Sequence, residues 1–136
     1  MKIKRIIKEV VLVGLAVLVL GACSPGGGKL TGNWVLVSFD EWGVLPSNIV
    51  TLNFDGESVS GNSGCNNYFG SYSVSGSNIQ FAGLGSTMMA CEEPFMGLEN
   101  AFHQALGNTQ NFIVSENQLQ IDYTGGVLVF DSATGK

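Results

Sequence analysis

Positive charge is nearly absent from most of this chain. Of six lysine and arginine residues, four (Lys2, Lys4, Arg5 and Lys8) lie within the first eight positions, and beyond them come only Lys29 and Lys136. Phosphate recognition needs clustered lysine and arginine, so nucleic acid is excluded as a partner and anionic headgroups gain no electrostatic hold. Histidine is equally scarce, with His103 alone. One histidine and two cysteines beyond residue 23 fall short of the roughly four ligands of a structural zinc site, so no metal and no other cofactor is expected. A Ser-His-Asp constellation would have to use His103, and no sequence element marks an activated serine or an oxyanion loop. Glu99 stands four residues before His103, and such a pair on a helix is ordinarily surface stabilisation. Redox exchange typically uses Cys-x-x-Cys, whereas Cys65 and Cys91 stand 26 positions apart. Asp40 and Glu41 beside Trp42 suggest paired carboxylates, yet adjacent residues of a strand point to opposite faces. No catalytic residue is assigned, and the chain is not expected to be an enzyme. Long apolar runs are limited to Val10–Leu20. Eleven residues span about 16 Å as a helix, short of the roughly 30 Å hydrocarbon core.

What is present begins with that run. The basic residues precede it, and it ends in Leu20-Gly21-Ala22-Cys23. The order is that of a secretory signal peptide over 1–22 with a small-residue cleavage site. The four residues resemble the lipobox of bacterial lipoproteins, in which the cysteine thiol receives a diacylglycerol and the new amino terminus is acylated. A plain signal peptide and a retained anchor are the alternatives. Lipidation at Cys23 implies a membrane attachment made by lipid alone, because no cation patch supplies another. Ser24 at the following position, where sorting rules for two-membrane bacteria would read Asp as a retention signal, favours the outer membrane facing the periplasm. In a single-membrane bacterium the same chain would sit on the outer face of the plasma membrane. Cleavage leaves two basic residues against ten acidic ones, a net charge of −8 over the remaining 114 residues. It also leaves Cys65 and Cys91 as an even pair in an oxidising compartment. A disulfide between them would close a loop worth about 3.5 kcal/mol in the chain-entropy model. Two buried free thiols are the alternative.

Residues 23–29, with Ser24-Pro25-Gly26-Gly27-Gly28, read as a flexible tether, residues 30–131 as one domain and 132–136 as a tail. Strand signals dominate. They cover Asn33–Phe39, Ile49–Phe54, Ser58–Gly61, Phe69–Ser75, Asn78–Phe81, Asn111–Ser115, Gln118–Tyr123 and Val127–Asp131, with turns at Asp55-Gly56, Gly76-Ser77, Glu116-Asn117 and Thr124-Gly125-Gly126. From Pro94 to Leu106, Phe95, Leu98, Phe102 and Leu106 recur at helical spacing. Glu92 and Glu93 suit its N-terminal dipole, and Gly107 is placed to end it. The expected fold is mainly β, a curled antiparallel sheet or small β-barrel of about eight short strands with one amphipathic helix. Gly61, Gly64, Asn66 and Asn67 accept left-handed backbone, which predicts a tight loop over Gly61–Asn67. Tyr68 and Tyr72 are expected as wall and rim aromatics, and Met88, Met89 and Met96 as core filler.

Two motifs at the centre carry a resemblance. The first is Gly64-Cys65-Asn66-Asn67-Tyr68-Phe69-Gly70-Ser71-Tyr72; the second is Thr87-Met88-Met89-Ala90-Cys91, just before the helix. With the opening Leu30-Thr31-Gly32-Asn33-Trp34 they resemble the META domain, the HslJ-like family of small bacterial envelope proteins. Met88 departs from the polar or basic residues frequent there in the family. The resemblance implies a barrel-like sheet with a helix, a disulfide between the two motif cysteines, and an association with heat-shock or envelope stress and antibiotic tolerance. It implies no established enzymatic activity. The expected role is therefore a non-catalytic envelope lipoprotein that makes protein contacts. A barrel that binds a small molecule or inhibits a hydrolase is the alternative. A ligand barrel should hold an apolar interior cavity; a contact module should have a filled interior and exposed apolar surface.

Overall fold

The computed structural model describes residues 30–46 and 48–134. The signal segment, Cys23 and the tether lie outside the described residues, as does the side chain of Glu41. Nine strands and one helix follow in order: β1 (Gly32–Phe39), a 3-10 turn (Asp40–Trp42), β2 (Gly43–Val44), β3 (Thr51–Asp55), β4 (Ser58–Asn62), β5 (Asn67–Ser75), β6 (Asn78–Ser86), α1 (Phe95–Leu106), β7 (Thr109–Ser115), β8 (Gln118–Tyr123) and β9 (Gly126–Ser132).

All pairings are antiparallel; β2 and β3 both pair with β1, and from β3 to β9 consecutive strands are neighbours. Eight of them close into a barrel because β1 also pairs with β9, from Trp34↔Ser132 to Phe39↔Leu128. β1 lies against β3 over Gly32–Val35, its register with β9 shifts between Leu36 and Ser38, and the short β2 joins its far end. Closure leaves no long unpaired edge, the usual liability of a β-protein. The weakest seam is β6–β7, where the in-register pair is Asn78↔Asn111. The chain crosses that seam through α1.

Alternation supplies the core. In β8, Leu119 and Ile121 are fully buried while Gln118 is exposed, and in β3 Leu52 and Phe54 are buried between half-buried Thr51 and Asn53. Leu36, Ile79, Phe112, Leu128 and Phe130 fill the rest of the interior with no exposed surface. The helix closes one end of this barrel with Leu98, Phe102, Ala105 and Leu106. Phe102 meets Tyr68 and Phe130 edge-on, with ring centroids 5.7 and 6.5 Å apart. Each such apolar side chain contributes about 1.5–3 kcal/mol by leaving water, so the helix is fixed by packing more than by propensity.

Strand directions give the barrel two unlike poles. β1, β4, β6 and β8 end, and β3, β5, β7 and β9 begin, at the pole that α1 covers. Chain entry is at the other pole: the Tyr72 hydroxyl reaches the carbonyls of Gly56 (2.8 Å) and Leu30 (3.2 Å). Ala133 donates its N–H to the Asn33 carbonyl at that same pole. Among the described residues no helix is long and apolar enough to cross a membrane.

Three expectations need correction. The loop expected over Gly61–Asn67 is shorter, because β4 runs through Asn62 and β5 starts at Asn67. Gly61 sits inside the strand, where a side chain would overlap the Thr51 carbonyl and crowd the Tyr68 hydroxyl. Met88 and Met89 are not core: they are 96% and 57% exposed, and Met96 is half-buried. Asp40 lies in the 3-10 turn, so the opposite-faces argument applied to it and Glu41 does not hold.

Candidate functional site

At the helix-covered pole the two motif segments meet α1 on a single side chain. The Ser63–Asn66 loop turns at Gly64, whose φ of +118° is left-handed and natural only to glycine. Asn66 is buried behind it. Its Oδ1 accepts from Thr87 Oγ1 at 2.9 Å and from the Met89 N–H at 2.7 Å. Its Nδ2 donates to the Met89 carbonyl at 3.1 Å and to Glu99 Oε1 at 2.8 Å. The Asn66 backbone N–H and the Ser63 hydroxyl both donate to Glu99 Oε2, at 2.7 and 2.8 Å. Cys65 and Cys91 form a disulfide with Cα atoms 6.0 Å apart, tying the same loop to the same connector.

Glu99 is 6% exposed. Burial works against its charged form, but the hydrogen bonds from Asn66, Ser63 and the Cys65 backbone outweigh it and hold the carboxyl below the ordinary glutamate value. The expected surface pairing with His103 is therefore overturned: Glu99 turns inward to the motif loop. The Glu99 carboxylate and the Ser63 hydroxyl are both buried, and their hydrogen bonds knot the loop to the helix. His103 lies half-buried, edge-on to Tyr68 at 5.7 Å between ring centroids. Its Nε2 is buried and has no hydrogen-bond partner among the described residues.

A second fastening uses Asp40. It accepts from the Val127 N–H at 3.0 Å and from the Tyr123 hydroxyl. A side chain at Gly126 would overlap the Asp40 carboxylate and push it out of this position. Trp42 lays its six-membered ring against Gly97 of α1. Between these parts runs an open cleft of about 260 Å³, reaching Gln104, Asn108 and Thr124.

The remaining motif residues have plain positions. Tyr68 is a core residue whose hydroxyl donates to the Thr51 carbonyl at 2.7 Å, and burial pushes its pKa up. Tyr72 stands half-buried at the opposite pole, its pKa raised by burial and by Glu57. Gly70 passes so close to Leu84 and the Ala82 carbonyl that a side chain would crowd both. Thr87 bridges Asn66 and the Asn67 N–H (3.2 Å); Ala90 is exposed. Sequence reasoning missed Ser63, Glu99 and Asp40. The available signal was an acid on the apolar flank of the helix, next to Leu98.

Residues 28–135 match the family model of the META domain. A protein from Burkholderia xenovorans, solved by NMR, is 32% identical with a TM-score of 0.66, over 76% of this chain and 83% of that one. A second NMR structure is 21% identical with a TM-score of 0.62, over 77% and 92% of the two chains. The crystal structure of a DUF4847 family protein from Bacteroides vulgatus is 15% identical with a TM-score of 0.55, over 78% and 95%; these last two likenesses concern the fold. No curated protein matches the chain.

Proposed function

This chain belongs to the META domain family, and we propose that it is a non-catalytic envelope lipoprotein whose barrel presents its helix-covered pole for contact with another protein. The observation that carries this reading is the distribution of apolar side chains. The barrel interior is occupied by its own residues, from Leu36 and Leu52 to Phe112 and Phe130. Four of the seven large apolar side chains that are exposed lie at the helix-covered pole, Val44 (86%), Met88, Met89 and Phe95 (40%), while Phe69, Val74 and Ile113 are spread over β5 and β7. A filled barrel with apolar surface outside is what a contact module needs and what a ligand barrel lacks.

The anchoring part of the proposal is lipid on Cys23. Seven residues, 23–29, then lead to Leu30 and reach at most about 25 Å. Leu30 enters beside Tyr72 and Gly56, so on this proposal the tether leaves from the pole opposite Met88 and Phe95. Outer-membrane placement follows from Ser24 in a two-membrane host. A role in envelope stress tolerance follows from the family.

Photo-crosslinking in whole envelopes, with the crosslinker at Met88, tests the contact role; a defined protein partner is expected, and a clean absence of adducts would remove it. Mass spectrometry of the membrane fraction should find residue 23 acylated. An intact N-terminal methionine would remove the anchoring part.

A further inference from the structure

Between β6 and α1 the chain runs as a strap, residues 87–94, exposed along its length except at Cys91. Thr87 pairs with Asn67 at its start, two fastenings hold its middle, and neither of these uses an apolar side chain. One is the Cys65–Cys91 disulfide; the other is the grip of Asn66 on both backbone polar groups of Met89. The side chains of Met88 and Met89 are thus held out in water by a backbone they do not help to place. Phe95, where the strap becomes helix, borders the same loop, its carbonyl lying against Gly64. Between the methionines and Phe95 come Glu92 and Glu93, both exposed. Glu93 also accepts the Gly97 N–H at 3.0 Å, which fixes its carboxylate at the helix start.

We propose that this strap docks a basic amphipathic segment of a partner protein. The apolar face of that segment would cover Met88, Met89 and Phe95, and its lysines or arginines would lie opposite Glu92 and Glu93. The proposal rests on the contact-module reading and adds the chemistry of the partner. Charge complementarity carries it: residues 30–134 contain ten carboxylates and not one lysine or arginine. No cation from that body can neutralise Glu92 and Glu93 when they are desolvated. A partner that covers the apolar surface must bring the positive charge itself or leave carboxylates uncompensated, at heavy cost. A second copy would bring the same acids to the contact. Methionine adapts its unbranched, polarizable side chain to irregular apolar surfaces, which suits such docking.

The test uses the protein purified from membranes in detergent, with the N-terminus the cell leaves on it. Three synthetic helical peptides of one pattern serve as probes: leucine with lysine, leucine with glutamine, and leucine with glutamate. The leucine–lysine peptide should bind, with affinity falling as salt rises. Met88→Ser with Met89→Ser should weaken it about tenfold or more, and Glu92→Gln with Glu93→Gln likewise. Asp55→Asn with Glu57→Gln, an equal charge change at the opposite pole, should leave binding as it was. Equal weakening by both charge-neutralised pairs would overturn the proposal, because the attraction would then belong to the whole body. So would equal binding of the leucine–glutamine peptide, or a dimer that dissociates on Met88→Ser with Met89→Ser. In each of these cases the contact role survives if Met88 still crosslinks to a partner in envelopes, and falls if it does not. The methionine variants should keep nearly the wild-type unfolding midpoint, since both side chains are exposed.

Discussion

Each polar atom of Asn66 has a partner, and those partners lie on the loop, the strap and the helix. The charged one, Glu99, turns this local network into a pH-sensitive one. Its carboxyl titrates below the ordinary glutamate value in the folded state. Its stabilisation is therefore complete above the unfolded-state pKa, about 4.3, and is lost as pH falls through the folded-state value. Glu99→Gln removes that charge and turns its NH2 group either toward Asn66 Nδ2 or toward the Asn66 N–H and the Ser63 hydroxyl, setting donor against donor. A loss of about 2–3 kcal/mol at neutral pH is expected in urea unfolding, and the acid limb of the stability profile should flatten. An unchanged acid limb would assign the acid sensitivity to other carboxylates. The sequence presented this residue misleadingly. Glu99 and His103 have the same i,i+4 spacing whether the helix face is wet or dry, and only the packing of Leu98 against Gly64 decides which it is. Asn66 was legible as a residue that tolerates unusual backbone, while its side chain proved to be the hub.

At the scale of elements, the strap is pinned twice, by the disulfide and by Asn66. Breaking the disulfide should cost about 3.5 kcal/mol if chain entropy is the whole effect. Asn66→Ala should cost about 1–3 kcal/mol in the oxidised protein. Because either fastening alone still holds the strap near its place, a double-mutant cycle of Asn66→Ala with Cys65→Ala/Cys91→Ala should be more than additive. Strict additivity, read from urea midpoints, would mean the two act on separate structures. Elements differed in how plainly they were written. β8 was legible residue for residue as Gln118–Tyr123, because one face is wet and one dry. β6 extends through Ala82-Gly83-Leu84-Gly85 to Ser86, a stretch without strand pattern that is held by its long pairing with β5. β2 has two residues, and Val44 within it is exposed, so no periodicity could reveal it. Met88 and Met89 looked like core because they are apolar; backbone anchoring keeps them outside.

The whole molecule is an acidic barrel with its entry at one pole and its helix at the other. Ten carboxylates with no lysine or arginine within residues 30–134 repel one another in the folded state more than in the expanded chain. Screening should relieve this. Raising sodium chloride from about 0.01 to about 0.5 M, where the Debye length shrinks severalfold, is expected to raise Tm by a few degrees. A fall in Tm would show that specific attractions dominate. A curled sheet or small barrel and the charge balance were both readable from strand count and composition, and the pairing of β1 with β9 decides for the barrel. The polarity of the barrel was not readable, because it depends on which strand ends face which, and the register of β1 with β9 sets that.

The knot around Asn66 also has an order in time. It joins residues separated by 21, 23 and 33 positions, and it needs the loop, the strap and the helix to have arrived together. Because three separate elements must be in place at once, these contacts are expected to form late and to be largely absent from the folding transition state. Their loss should then speed unfolding and leave refolding almost untouched. In stopped-flow chevrons, Glu99→Gln should raise the unfolding limb by nearly the full equilibrium difference. The knot would thus set how long the barrel stays folded rather than how quickly it forms.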